Sequence, residues 1–181
     1  MINEHTITNS LGSELNNLGT IENLHLGLIR NIGHGSIDNQ INGLIENYGT
    51  ISNNYRIYNQ ANNSRIRNHK GGKINNHGGG DIIIAEQGSI ENSGEITNKK
   101  MILVATQGQL TNNPDGVIKN LPHGTIWRRH GVGAIINNHG AIRNFSLFGC
   151  HPPAVYEGSQ PTPNPVTDVN CQPLPALGRS K

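Results

Sequence analysis

The chain has 181 residues, a formal net charge of +2 and only 14% charged residues, so no strong field attracts nucleic acid or anionic lipid. Apolar residues make up 33% and aromatic residues 4%, too little for an ordinary packed core, whereas 27 Asn and 23 Gly indicate a repeat or disorder. No window approaches eighteen consecutive apolar residues, and the opening MINEHTITNS lacks the basic start and the apolar run of a signal peptide.

A five-residue pattern, Gly-x-Ile-x-Asn, recurs along the chain as far as residue 144 and predicts one short strand per copy. The central aliphatic residues of its 19 copies are Ile7, Leu15, Ile21, Ile29, Ile37, Ile45, Ile51, Ile57, Ile66, Ile74, Ile82, Ile90, Ile96, Ile102, Leu110, Ile118, Ile126, Ile135 and Ile142. Gly stands two positions before the centre in 14 copies, and Asn stands two positions after it in 16. Because every third centre lies about 22 residues further on, we predict a three-sided coil of about 22 residues, repeated about six times.

The copies divide into three faces with different conservation of the final Asn. The first face has Asn in all seven copies, namely Asn9, Asn31, Asn53, Asn76, Asn98, Asn120 and Asn144. The third face has it in all six, namely Asn23, Asn47, Asn68, Asn92, Asn112 and Asn137. The second face has Asn17, Asn39 and Asn59, followed by Ile84, Val104 and Arg128. Departures confined to one face are what stacked faces predict.

Alternate side chains of a strand point to opposite sides, so the Gly, Ile and Asn of each copy share the inward side. Stacked coils then bring identical Asn amides within hydrogen-bonding distance of each other, at a strand spacing of roughly 4.8 Å. The predicted fold is therefore all-β, a three-sided parallel β-solenoid over residues 1–144. Its predicted core ladder comprises Ile29, Ile51, Ile74, Ile96, Ile118, Asn31, Asn53, Asn76, Asn98 and Asn120.

The stretches GSIENSGEITN (88–98), GDIIIAEQG (80–88) and KMILVATQG (100–108) resemble the repeats of filamentous-haemagglutinin-type adhesins. The similarity covers residues 5–144. It implies a right-handed parallel β-helix and an adhesin-like role, and it favours an extracellular or cell-surface location.

The repeat stops after Asn144, and the composition changes. Seven of the nine prolines lie between Pro152 and Pro175. Proline cannot donate to a strand ladder, so we predict that residues 145–181 form a Pro-rich tail or strap rather than another coil, with a disordered linker as the alternative. Cys150 and Cys171 both lie in this segment, and the sequence leaves open whether they form a disulfide or stay as thiols.

Outward-facing positions indicate where partners would touch the solenoid. On the second face they include an apolar set that recurs in consecutive coils, namely Tyr58, Ile83, Leu103 and Trp127, with Met101 beside them. Such an aligned set forms a larger apolar patch than the single hydrophobic residues scattered over ordinary protein surfaces. We therefore expect it to be covered by the chain's own tail or by another molecule. On the third face, Glu22, Glu46, Arg67 and Glu91 predict a solvated ion-pair ladder. Glu22 and Glu46 also have the spacing of a retaining glycosidase pair, but on a flat sheet.

Elsewhere the sequence contains only weak candidates for a catalytic or metal-binding site. The HGGGD of residues 77–81 is not accompanied by a Gly-x-Ser-x-Gly nucleophile motif, and no two histidines have a His-x-His or His-Glu-x-x-His spacing. We therefore expect no enzyme, no cofactor, no metal and no nucleic-acid partner.

The N-terminal end of the solenoid suggests how copies of the chain would assemble. The first centre is already Ile7, which leaves too few preceding residues for a cap, so an open edge predicts a head-to-tail homo-oligomer that forms a filament or stalk. One alternative is an adhesin-like module that recognises a glycan or a cell-surface protein through the second face. The other is a polysaccharide-cleaving β-helix enzyme.

Overall fold

The computed structural model describes residues 1–128, 133–150 and 155–163. These residues contain 23 strands and, within those ranges, no helix. The strands lie in three sheets, and the strand pairs among these residues are parallel. The chain passes from the first sheet to the second, then to the third and back to the first, so that each coil adds one strand to every sheet. The three-sided parallel β-solenoid predicted from the sequence is confirmed.

The strands have two to five residues each. The first sheet contains β2 (Thr6–Asn9), β5 (Leu28–Asn31), β8 (Thr50–Asn53), β11 (Lys73–Asn76), β14 (Glu95–Asn98), β17 (Val117–Asn120), β20 (Ala141–Asn144) and β23 (Thr162–Pro163). The second contains β3 (Glu14–Asn17), β6 (Ser36–Asn39), β9 (Arg56–Gln60), β12 (Asp81–Ala85), β15 (Met101–Val104), β18 (Thr125–Arg128) and β21 (Leu147–Cys150). The third contains β1 (Ile2–Asn3), β4 (Thr20–Asn23), β7 (Leu44–Asn47), β10 (Arg65–Asn68), β13 (Ser89–Asn92), β16 (Gln109–Asn112), β19 (Ile135–Asn138) and β22 (Val155–Gly158).

The core is a stack of aliphatic layers in strict register. In the first sheet Ile29 pairs with Ile51, and Ile51 pairs with Ile74. The predicted ladder residues Ile29, Ile51, Ile74, Ile96 and Ile118 are all at most 1% exposed. β-Branched side chains favour the extended backbone of a strand, and each buried Ile contributes about 1.5–3 kcal/mol. The Gly of the pattern is needed because a Cβ on Gly35, for example, would lie only 2.8 Å from the Asn9 carbonyl oxygen.

The inward asparagines form one hydrogen-bonded ladder per sheet. The Nδ2 of each Asn donates to the Oδ1 of the Asn in the next coil, as from Asn31 to Asn53 (2.7 Å) and from Asn53 to Asn76 (2.8 Å). The first-sheet ladder runs from Asn9 to Asn144 and the third-sheet ladder from Asn3 to Asn138. The Nδ2 groups also donate to backbone carbonyls, which satisfies the buried amides. The predicted asparagine ladder is confirmed.

One strand of the third sheet is shifted by a residue from its prediction. The sequence pattern placed Ile135 and Asn137 inside, but the sheet register carries Ile136 and Asn138 in those positions, each 1% exposed. The pattern was misleading because two adjacent frames fit it. In the frame that the structure uses, buried Ala134 takes the place of the Gly.

The sheets also continue beyond Asn144, where the sequence pattern stops and the end of the solenoid was predicted. β21 pairs with β18, β22 with β19, and β23 with β20. Phe148 stacks on Ile126 and is 4% exposed, so an aromatic ring fills the position that Ile occupies elsewhere. The solenoid therefore makes about seven turns rather than six. The remainder of the predicted strap, 151–154 and 164–181, lies outside the described residues.

Candidate functional site

The five outward apolar residues predicted on the second sheet lie together. The register pairs Tyr58 with Ile83, Ile83 with Leu103, and Leu103 with Trp127. Met101 lies on the same outward side, two residues before Leu103. All five side chains are partly exposed, and we call them the apolar column. The structure gathers these residues on one surface, and the molecule that contacts them remains a prediction.

The two ends of the apolar column differ. At the C-terminal end the register places Gly149 next to Trp127, and a Cβ at this position would collide with the six-membered ring of Trp127. The ring therefore lies over the backbone of Gly149. At the N-terminal end the register places Asp38 next to Tyr58, and the Arg56 guanidinium carbon lies 6.0 Å from the centroid of the Tyr58 ring. The column thus has a charged boundary at one end and a glycine at the other.

Asp38 at this boundary is partly buried. Burial raises the pKa of its carboxyl group, and a 3.5 Å hydrogen bond from Gln40 Nε2 to Oδ2 opposes that effect. The other oxygen, Oδ1, is buried and has no hydrogen-bond partner among the described residues. A buried oxygen that accepts no hydrogen bond lowers the stability of the fold. A hydrogen-bond donor placed at this end of the apolar column would therefore be stabilising.

The third sheet carries the predicted ion ladder. Arg67 Nη1 donates to Glu46 Oε1 at 3.1 Å, and Arg67 Nε lies 3.4 Å from Glu91 Oε2. His69 Nε2 lies 2.5 Å from Glu46 Oε2. Glu22 is the register neighbour of Glu46, which is the arrangement that a retaining glycosidase pair would need. Both oxygens of Glu46 are engaged by neighbouring side chains, Oε1 by Arg67 and Oε2 by His69.

A row of ring side chains beside this ladder was not predicted. His25, Tyr48 and His69 each follow the inward Asn of a third-sheet strand by one or two positions in three successive coils. The rings of Tyr48 and His69 stack with centroids 4.0 Å apart, and His25 meets Tyr48 edge-on at 5.8 Å. The sequence does show a ring residue at this place in three successive coils. These residues lie in corners between strands, however, where the alternation of side chains along a strand does not predict which way a side chain points.

Arg128 is a charged residue inside the core. It takes an inward position on the second sheet, next to Val104, and is 1% exposed. Its Nε, Nη1 and Nη2 have no hydrogen-bond partner among the described residues. Desolvation by burial lowers the pKa of Arg128 to about 10. A buried ion without a partner costs several kcal/mol, so we expect this position to destabilise the fold.

On the first sheet, one ion pair connects two neighbouring strands. Lys119 Nζ lies 2.6 Å from Glu95 Oε2. This hydrogen bond lowers the pKa of the Glu95 carboxyl group, although burial opposes the change. The pair joins β14 to β17 and is a stabilising contact on the surface.

The described residues contain no group of three or more His, Cys, Asp or Glu side chains that could hold a metal ion. The possible disulfide between Cys150 and Cys171 involves a residue, Cys171, that lies outside the described residues. Within the described ranges no helix has the length and apolar character needed to cross a membrane.

Comparison with known proteins adds little to this geometry. No protein-family model and no curated protein sequence matches the chain. Among solved structures, the chain is similar to the crystal structure of the TibC-catalyzed hyper-glycosylated TibA55-350 fragment, at 15% sequence identity over 88% of this chain and 70% of that chain. The TM-score is 0.25, so the similarity carries no functional argument. The class to which the chain belongs, the parallel β-solenoids, is defined by its own three sheets and asparagine ladders.

Proposed function

We propose that this β-solenoid is a structural, non-enzymatic protein that associates end to end into a filament or stalk. The supporting observation is the distribution of exposed large apolar side chains, which among the described residues occur in the first two coils and the last one. They are Met1, Ile2, Leu11, Leu18, Leu26, Ile41, Phe145 and Leu147. Leu11 and Leu26, at corners of the coil, are 91% and 90% exposed. Apolar surface at both ends favours contacts between ends.

The strands at the two ends support the same contact. Among the described residues, β1, β2 and β3 are the first strands of the three sheets, and β21, β22 and β23 are the last. Backbone groups on such edges pair readily with another strand. Because opposite ends are different surfaces, their contact is heterologous and generates an open filament. Pro163 in β23 has no N–H to donate, so we expect the second and third sheets to carry most of the junction.

The surface chemistry supports a role without catalysis. The acidic side chains on the third sheet that come closest to a catalytic pair are Glu22 and Glu46, and Arg67 and His69 already engage both oxygens of Glu46. In this proposal the carboxylate stabilises the sheet surface and has no catalytic role.

Sedimentation velocity over a concentration series, with electron microscopy of the same samples, tests the proposal. We expect fibres whose axial strand repeat continues from subunit to subunit. The double variant Leu11→Ser and Leu26→Ser should shift the protein towards monomer, whereas Val117→Ser, in a middle coil, should leave association unchanged. A chain that stays monomeric at every concentration would contradict the proposal.

The apolar column favours a second candidate function. In this reading the chain acts like the filamentous-haemagglutinin-type adhesins that its repeats resemble, and it binds a glycan or a cell-surface protein through the second sheet. Tyr58 and Trp127 supply large amphipathic rings on that sheet, which are frequent at binding surfaces. Binding of the full chain to glycan arrays or intact cells should be lost in Trp127→Ala and in Leu103→Ser. Binding that survives both substitutions would contradict this second candidate.

A further inference from the structure

We propose that the recess over Glu4 and His5 is the docking site for one corner of a second copy of the chain, residues 159–161. This inference rests on the proposed end-to-end association and specifies how the second copy is rotated about the long axis. Three features of the described residues support it: the lengths of the corners between the third and the first sheet, the contacts across the inner recesses, and the cavity beside Glu4 and His5.

The corners that lead from the third sheet to the first alternate in length. Corners of two residues follow β1, β7, β13 and β19, whereas corners of four residues follow β4, β10 and β16. The corner that comes next, 159–161 after β22, has three residues and falls where a long corner is due. A second copy that continues the stack with its own two-residue corner, 4–5, therefore keeps the alternation across the junction.

Each two-residue corner between two longer ones lies in a recess, and side chains close that recess. The ring of Tyr48, in the short corner after β7, contacts His25 on one side and His69 on the other, and both histidines belong to four-residue corners. Lys70 and Asp115, from the corners after β10 and β16, span the recess over the short corner after β13, with Lys70 Nζ 3.6 Å from Asp115 Oδ2. These inner recesses are thus closed with the help of a long corner on each side.

The recess over Glu4 and His5 has a wall on one side only among the described residues. Leu24 and Leu26, from the four-residue corner after β4, form that wall. The cavity measures about 550 Å³, a size that is common for binding sites, and Leu26 is 90% exposed. Because burial of apolar surface is favourable, a long corner on the open side would stabilise this end of the solenoid.

The end-to-end junction supplies that corner in one rotation of the second copy. With β22 of one copy beside β1 of the other, the third sheet continues across the junction, and the corner 159–161 lies on the open side of the recess. Gln160 in this corner and Glu4 in the recess are both exposed. The side-chain amide of Gln160 can donate to the carboxylate of Glu4, so the contact combines apolar cover with a hydrogen bond to a charged group. Rotating the second copy by one face would put a different corner beside the recess.

Photocrosslinking tests this rotation. p-Benzoylphenylalanine replaces Leu26 in one variant and Leu11 in the control, because Leu11 is 91% exposed in a corner of the first coil that leads from the first sheet to the second. In samples that associate, the label at position 26 should crosslink to residues 159–161, as identified by mass spectrometry of the digested product, and the control label should not. Six strand spacings, roughly 29 Å, separate β4 from β22 within one chain, so such a crosslink forms only between copies.

The possible outcomes separate the rotation from the association itself. Association without a crosslink from position 26 to residues 159–161 would overturn the proposed rotation and leave end-to-end association standing. Protein that stays monomeric at every concentration would overturn both.

A change in corner length tests the same contact without a label. Two Gly residues inserted between Glu4 and His5 lengthen the short corner and fill the recess, so the dissociation constant measured by sedimentation should rise at least about tenfold. The same insertion between Leu18 and Gly19 is the control, because the next corner on that edge, after β6, already has four residues, and it should change the constant by less than about twofold. Circular dichroism checks that both variants keep their β-structure. Equal effects of the two insertions in folded protein would overturn the proposal, and the crosslink decides if the first variant does not fold.

Discussion

Replacing Arg128 with Met should stabilise the protein. The guanidinium is 1% exposed, and its three nitrogens have no hydrogen-bond partner among the described residues. Desolvation by burial lowers the pKa of Arg128 to about 10, so holding the charged form at this position costs at most about 3 kcal/mol. Met keeps an apolar stem of similar length and removes the charge, so we expect the free energy of unfolding to rise by about 2–3 kcal/mol. That gain corresponds to an increase in the thermal midpoint of about 5–10 °C for a chain of this size.

Thermal unfolding followed by circular dichroism, supported by urea denaturation, measures the effect. Arg143→Met is the matched control, because Arg143 is exposed on β20, and it should change the free energy of unfolding by less than about 0.5 kcal/mol. If Arg128→Met instead melts below the unaltered protein, the guanidinium has a partner that offsets its burial, and the reasoning is refuted.

Three further changes test the core and the surface. Asn53→Ala should cost about 2–4 kcal/mol in urea denaturation, because its amide donates to the next amide of the ladder and to a backbone carbonyl; a loss below about 0.5 kcal/mol would show that the ladder adds nothing. Gly108→Ala should lower the thermal midpoint, because its Cβ would collide with a backbone carbonyl oxygen, whereas Gly78→Ala, which meets open space, should not. Similar midpoints for the two would contradict the packing argument. Glu95 has a lowered pKa, so its ion pair stabilises the fold above the ordinary pKa of 4.5, and this contribution disappears as the pH falls through the lower folded value. Lys119→Met should therefore cost at most about 1 kcal/mol at neutral pH and almost nothing in acid, and equal losses at both would refute the pairing.

The sequence predicted the solenoid because the information for it is periodic. An aliphatic residue and an Asn two positions later, such as Ile29 and Asn31, recur in nearly every strand of the pattern. Because side chains alternate along a strand, both side chains point to the same side, which is the interior. The same local rule could not choose between Ile135 and Ile136, since both fit the pattern and only pairing with the neighbouring strand decides. It also missed β21, because Phe148 fills the core position without matching the pattern.

The surface was predictable where strands define it. The residues of the apolar column and the Arg67 ion pairs follow from alternation along the strands. The bond between His69 and Glu46 starts from a corner, where the backbone has no fixed alternation. Nor does the sequence reveal that Arg128 has no hydrogen-bond partner among the described residues, because that depends on every group packed around it.

The hydrogen bonds that join one coil to the next also determine how the molecule bears load. The asparagine ladders and the strand pairs connect neighbouring coils along the long axis of the solenoid, as with Asn76 and Asn98. A pulling force along that axis therefore opens the interfaces one after another, beginning at an end. Each detached coil of 22 residues releases roughly 70 Å of chain, so under tension the protein should lengthen in even steps and dissipate work at every step.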